Sequence, residues 1–490
     1  MNSADTPPTR KIAIVGGGMS GLASAHRLLE LGRKNEQAVE IMLFDAADRL
    51  GGIVGTKHIG NYLVEMGADS FITNKPWAVD LCRRLGIEDR LIPTEERFRK
   101  SLVLRKGRPL EVPEGFMLLA PAKILPVLKS PLFSLQGKLR MGLEYFLPRK
   151  KNDEDESLAN FVRRRFGKEV LDRLVQPLVG GIYTSDPEKL SLKATMPRFL
   201  QMEKEFRSLI RASRRSAEER TQAEKSGSGA RYGLFATLQG GISELVDALY
   251  GAIKTQCRIE LQTQVTSVQK NNSRWSIALQ DGSKPEFDAV ILALPAYRAA
   301  ELVRESQPAL ARGLEGIAYA SSAIVVSGHR LEDIDHPLDA FGLVIPHIEG
   351  REVLAVSFGS RKFSGRAPEG RVILRTFVGG AMQPEVFEKT DAEIFGIVQR
   401  ELKEMLGVTW KPDFCEIARY PRSMPQYYVG HLDCVEQIEN RTAKMDGLAL
   451  AGNEFRGVGL PDAIHSGEKA AEQIFQSTWK SSVGIQTKGM

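Results

Sequence analysis

Cysteine, histidine and long apolar runs are scarce in this chain of 490 residues, and each scarcity closes off a class of function. The four cysteines, Cys82, Cys257, Cys415 and Cys434, lie far apart without a CxxC pair, so neither a thiolate zinc site nor a disulfide framework is indicated. A reducing compartment fits best. The seven histidines show no HExxH or other ligand spacing, so no metal site is expected. No run of eighteen uninterrupted apolar residues occurs, which argues against a transmembrane helix. The polar opening MNSADTPPTRK runs directly into a strand with no signal or transit pattern, and a cytoplasmic location is expected. No Ser-His-Asp arrangement, paired carboxylate or catalytic cysteine stands out.

What is present suits a soluble α/β protein. With 42% apolar and 26% charged residues, the chain can bury one large core or two to three fused ones. The net charge of +6 is unevenly spread: residues 90–150 hold 13 Lys/Arg against 5 Asp/Glu. The same region contains FMLLAPAKILPVLKSPLF, residues 116–133. Apolar and basic residues together suit peripheral contact with anionic lipid, on the cytoplasmic face of a membrane. The plainer reading is a domain-packing helix with a solvated basic face. Nothing points to nucleic acid.

KIAIV, residues 11–15, predicts a strand that stops at Gly16-Gly17-Gly18, and Leu22, Ala25, Leu28 and Leu29 give the following segment helical spacing. A second strand at 39–45 closes a β-α-β unit. Helices are expected at 157–165, 168–174 and 202–215, and the polar tract 217–231 reads as a mobile loop. Residues 315–380 are rich in strands, and LALAGNEFRGVGLPDAIHSGEKAA, residues 448–471, brings back strand, loop and helix. The expected fold is mixed α/β. A Rossmann-like domain is assembled from residues 8–85, 233–300 and 441–478; a helical domain with a basic apolar surface fills 86–232, a mixed sheet fills 301–440, and 479–490 form a tail.

Gly16, Gly18 and Gly21 form GxGxxG between strand and helix, and the loop they define spans Gly17, Met19 and Ser20. The first glycine permits the tight turn, the second lets backbone approach a pyrophosphate, and the third lets helix pack on strand. Asp45 ends the second strand 24 residues after Gly21, where a carboxylate accepts hydrogen bonds from both ribose hydroxyls. It disfavours a 2′-phosphate, which leaves NAD or FAD.

DAADRLGGIVGT, residues 45–56, and VEMGADSF, residues 64–71, resemble the flavin amine oxidase-like superfamily, and the resemblance selects FAD. Residues 155–192, 340–368, 375–380 and 420–431 narrow it to the FAD-dependent protoporphyrinogen and coproporphyrinogen oxidases of haem biosynthesis, over nearly the whole chain. Flavin amine oxidases and carotenoid desaturases share the two terminal motifs but differ in the middle. A flavoprotein that acts only as a haem-pathway partner stays open. The family implies oxidation of protoporphyrinogen IX or coproporphyrinogen III to the porphyrin by O2. Six electrons leave in three flavin cycles, giving H2O2, with hydride passing from a meso carbon to flavin N5. The cofactor carries the redox step, so no catalytic side chain is required. A ferrochelatase contact and a homodimer are further expectations.

By the same resemblance, FAD lies along Gly16 to Gly21, Asp45, Ala46, Arg49, Gly52, Ile53, Gly67, Ala68, Asp69 and Ser70, with Val265, in a strand at 259–268, pairing by backbone with the adenine. Asn453 falls near the pyrophosphate-ribityl stretch. Val458, Gly459 and Leu460, with the positive end of the last helix, face the flavin N1-O2 edge and favour the reduced state. Val344, Ser357 and Phe377 sandwich the macrocycle, although plant-type members have leucine at Ser357. Gly180 and Gly181 are pocket wall or a helix stop. Ser101 stands where plant-type members place a propionate-binding arginine, so Arg99 or Lys100 is the expected substitute.

Overall fold

A computed structural model describes residues 9–117, 119–121, 123–215 and 234–483. The tract expected to be a mobile loop, 217–231, lies outside the described residues. Two sheets organise the chain. The first has five parallel strands in the order Cys257–Glu260, Val39–Phe44, Arg10–Val15, Ala289–Leu292 and Leu448–Leu450. Three separated stretches of chain thus supply one Rossmann-like sheet, as the motifs required. Ile12, Ala13, Ile14 and Val15 are all buried because both faces are covered. Ile12 and Ile14 meet the helices Met19–Lys34 and Leu460–Val483, while Ala13 and Val15 meet Ala296–Val303 and Pro308–Glu315.

The last helix returns to pack on the first. Ser24 Oγ donates to Gly467 O at 2.9 Å, and any Cβ at Gly467 would collide with Ser20 O. A glycine is therefore what allows the chain's end to close over its beginning.

The second sheet has seven strands, ordered Phe414–Pro425, Tyr319–Arg330, Arg371–Gly379, Val353–Phe358, Gly342–Val344, Leu102–Arg105 and Arg108–Glu111. All pairings are antiparallel except Gly342–Val344 with Leu102–Arg105. Two of its strands come from a stretch that the sequence suggested was helical. One face packs on the helix Asp391–Leu406, whose Thr390–Glu393 capping box and left-handed Gly407 fix its ends.

Several local expectations are corrected. Residues 116–133 do not form one helix: a small hairpin, Phe116–Met117 with Ala120–Pro121, precedes the short helix Ile124–Lys129. The segment 202–215 is broken at Arg207, whose φ of 64° no helix accommodates. The strand foreseen at 259–268 is two strands, since Gln262 turns with φ 52° between Cys257–Glu260 and Val265–Asn271. Helix Lys168–Val170 runs through a π-helical turn, Leu171–Val175, into helix Gln176–Tyr183, where Pro177 lacks an N–H to continue the ladder. Gly180 and Gly181 are inside that helix. It stops at Thr184, so neither glycine terminates it.

Candidate cofactor and substrate site

The three motif glycines have different jobs. At Gly16, φ is 109° and a Cβ would strike Ala293 O, while a Cβ at Gly21 would strike Gly16 O. These two are needed for the chain to fold as it does. At Gly18, nothing lies within 4 Å of the Cβ position. That open ground sits at the N-terminus of helix Met19–Lys34, which has no side-chain cap and no acidic residue in its first turn. An uncapped positive helix end beside a bare backbone suits a dinucleotide pyrophosphate. Met19 and Ser20, both buried, begin the helix.

The acidic partner is close by. Asp45 Oδ2 accepts from Gly17 N at 2.6 Å and Oδ1 from Ala47 N at 2.8 Å, so each oxygen keeps a lone pair for a ribose hydroxyl. Gly51 N donates to Gly17 O at 2.9 Å, and Gly52, with φ 59°, approaches Gly18. Arg49 turns inward on its own loop: Nη1 donates to Val54 O and Nη2 to Gly52 O, both at 2.7 Å. Its guanidinium shapes the wall. Backbone of the chain at 262–263 returns to Asp45 and Ala47, which brings buried Val265 to this end of the groove.

Gly67 packs against Ile53 so tightly that a Cβ would strike Ile53 O, which unites two of the expected lining segments. Asp69 is also the centre of a charge cluster. Its carboxylate holds Lys362 Nζ at 3.0 Å and Arg375 Nη1 at 2.9 Å, and Arg375 also donates to Gly67 O. Burial alone would raise its pKa, but the charges of Lys362 and Arg375 win and hold it well below the usual carboxylate range. Ser70 Oγ completes the cluster, at 2.8 Å from Lys362 Nζ. It ties the 67–70 loop to the seven-stranded sheet through Arg375 and to Lys362.

Register gathers the expected macrocycle contacts. Val344 pairs with Ala355, Ala355 with Phe377 and Phe377 with Ile324, while Gly342, Ser357 and Arg375 form the next row. Residues directly opposite in a ladder share a face, so Val344, Ser357 and Phe377 lie on one strip of the sheet, opposite the face that packs on Asp391–Leu406. Val344 borders the helical core, and Phe377 borders the small core built by Tyr62, Val64, Met66 and Ile324. All three side chains are only half-buried. Gly181 stands over one end, where a Cβ would come within 3.8 Å of Val344 Cγ1.

The C-terminal loop is held from outside. Tyr427 Oη donates to Asn453 O at 2.6 Å and accepts from Gly457 N at 2.7 Å; the ring stacks on His431, whose Nε2 meets Phe455 O at 3.0 Å. Asn453 Nδ2 reaches Val458 O at 3.5 Å, and Val458 touches the helical core near Val344. The last helix starts at Leu460. Its positive end is offset by Asp462 in the first turn, itself paired with Lys75 at 2.6 Å. Glu454 is buried with Oε1 unpartnered, and burial pushes its carboxyl up to about 8. Arg375 and Tyr427 carried no expected role. A charge at an inward position of RVILRTFVG was the available signal for the first; for Tyr427 there was none, since its partners are distant in sequence.

Lys100 is already neutralised, by Glu111 at 2.7 Å and Asp339 at 3.6 Å, and Arg99 is exposed.

Comparison with known proteins shows the family. Residues 19–475 match the family model described as flavin containing amine oxidoreductase. Coproporphyrinogen III oxidase of Bacillus subtilis (strain 168) is 33% identical over 94% of this chain and 97% of its own length. Protoporphyrinogen oxidase 2 of Arabidopsis thaliana is 28% identical over 95% and 94%. The crystal structure of a putative protoporphyrinogen oxidase from Exiguobacterium sp. 255-15 superposes with a TM-score of 0.84 at 25% identity, covering 96% of this chain and 99% of that one. A flavin-binding oxidoreductase built on this fold, the chain belongs to the flavin containing amine oxidoreductase family, among relatives named as porphyrinogen oxidases.

Proposed function

We propose that the protein oxidises coproporphyrinogen III to coproporphyrin III with a bound FAD, O2 being the final acceptor. The observation that carries this reading is the single strip of Val344, Ser357 and Phe377, half-buried around buried Ala355, largely apolar and lying between two cores. A bound flavin supplies the two-electron acceptor, so the macrocycle's six electrons leave in three rounds. The chain binds, orients and excludes water. Gly18, the helix behind it and Asp45 hold the dinucleotide; Phe377 offers a ring face to the macrocycle, and Val344 with Gly181 limits its far edge. Coproporphyrinogen is favoured over protoporphyrinogen by the nearer similarity to the Bacillus enzyme, 33% against 28% for the Arabidopsis one, and by the basic balance of residues 90–150.

The test is to load the purified protein with FAD, supply each porphyrinogen under air and follow porphyrin fluorescence. Conversion faster than autoxidation, and faster with coproporphyrinogen III, is expected. Rates equal to autoxidation with both would end the oxidase reading.

A second reading concerns the surface. Leu125, Leu128, Leu135, Leu139, Leu143 and Phe146 are all more than half exposed, beside Lys123, Lys129 and Lys138. No helix among the described residues is long and apolar enough to cross a membrane. The patch suits peripheral contact with anionic lipid. Co-sedimentation with phosphatidylglycerol vesicles but not phosphatidylcholine vesicles is expected, and a Leu135→Ser/Leu139→Ser variant should lose it.

A further inference from the structure

Two arginines stand apart from the other cations at one end of the strip. Arg97 lies in the turn Glu96–Phe98, ahead of strand Leu102–Arg105, and Arg361 lies in the short helix Gly359–Lys362, directly after strand Val353–Phe358 and four residues beyond Ser357. Backbone bonds join the two segments: Glu95 N donates to Lys362 O at 3.0 Å, and Phe341 N to Lys100 O at 2.9 Å. Both guanidinium carbons lie over the ring of Phe98, at 5.2 Å for Arg97 and 4.8 Å for Arg361.

The cations around them, exposed Arg99 apart, are satisfied. Lys362 and Arg375 share Asp69, Lys100 has Glu111, Arg371 has Asp413, and Arg366 donates to the carbonyls of Leu238 and Gln239. Among the described residues, neither Arg97 nor Arg361 has a hydrogen bond or an acidic partner, and Arg361 Nε is buried with none. Burial, and then the charge of Arg97, hold the Arg361 pKa below its ordinary value. Arg97 is exposed and Arg361 half-buried, so an anion arriving from solvent can reach both guanidinium groups.

We propose that Arg97 and Arg361, converging on Phe98, form a carboxylate site at the end of the macrocycle strip and bind one acidic side chain of the tetrapyrrole. The site rests on the porphyrinogen reading above. Guanidinium forks match a carboxylate in a way that ammonium groups do not, and stacking on Phe98 limits the conformations each must give up on binding.

The experiment titrates coproporphyrin III, and separately its tetramethyl ester, into the FAD-loaded protein by porphyrin fluorescence, for wild type, Arg97→Gln, Arg361→Gln, Arg361→Lys and the double glutamine variant. Flavin absorbance and Tm are recorded alongside. Each glutamine variant should bind the acid on the order of tenfold more weakly, with the ester unaffected and flavin content unchanged. Arg361→Lys should fall between, and KM should rise more than kcat falls. Unchanged acid binding in the double variant, or equal weakening for acid and ester, would overturn the site. If wild type neither binds nor oxidises either porphyrin, the porphyrinogen reading itself fails, and the site with it.

Discussion

The parallel sheet and the seven-stranded sheet carry their candidate site residues in opposite ways. In the parallel sheet the proposed cofactor residues sit at strand ends, where Gly16 to Gly21, Asp45 and the 451–459 loop leave the core, and the strands themselves are buried on both faces. In the antiparallel sheet the proposed substrate residues sit on the strands, because alternation gives one face to the helix Asp391–Leu406 and leaves the other free of it. A loop site is specified by local backbone demands, whereas a strip site is specified by register between strands far apart in sequence. The Asp69 cluster ties the 67–70 loop to the second of them.

The sharpest break of this comparison lies within the glycine loop. Gly21→Ala drives a methyl into Gly16 O and should cost about 3 kcal/mol or more, enough to lose soluble protein, whereas Gly18→Val meets no neighbour within 4 Å. Gly18→Val is expected to fold, with apo-protein Tm near wild type, and to purify colourless. A yellow Gly18→Val protein would misplace the pyrophosphate.

Asp69→Asn strikes the tie between the 67–70 loop and the seven-stranded sheet. Leaving Lys362 and Arg375 buried without their anion should cost about 3–5 kcal/mol. Because the folded carboxyl is held below its ordinary pKa, its stabilisation is present above the usual carboxylate value of about 4 and is lost as pH falls below it. Denaturant curves should therefore show wild type and variant converging in acid.

Glu454 has the opposite sign. With its carboxyl at about 8, stability is full below the ordinary glutamate value and falls as pH rises towards 8. Wild-type Tm should drop from pH 5 to pH 8 and Glu454→Gln should flatten the slope; parallel slopes would mean that the carboxyl is not buried. Tyr427→Phe removes one hydroxyl that bridges Asn453 and Gly457, at about 1–3 kcal/mol, and should loosen flavin retention more than it lowers Tm. Phe377→Ala, on a half-buried position, should change stability least and weaken turnover with flavin still bound.

The difference between the sheets also decided what was legible. GxGxxG with Asp45 is a local pattern, and its geometry follows from strand, turn and helix in that order. Val344, Ser357 and Phe377 were reached only through family likeness; nothing in their spacing reveals that β-ladder register lines them up. Asp69 sits in a motif that suggests cofactor lining, yet Lys362, which claims it, is 293 residues away. Residues 116–133 read as one apolar helix because composition hides the hairpin, and the turns at Arg207 and Gln262 need a left-handed backbone that their residue types do not announce.

The most direct measurement removes oxygen. Coproporphyrinogen III is added anaerobically to the FAD-loaded protein while the flavin's yellow band and the porphyrin band are followed together. The account predicts that the flavin bleaches as substrate is added, with about three flavins reduced for each porphyrin formed, and that admitting air restores the colour. Flavin that stays oxidised in the presence of excess porphyrinogen would contradict it.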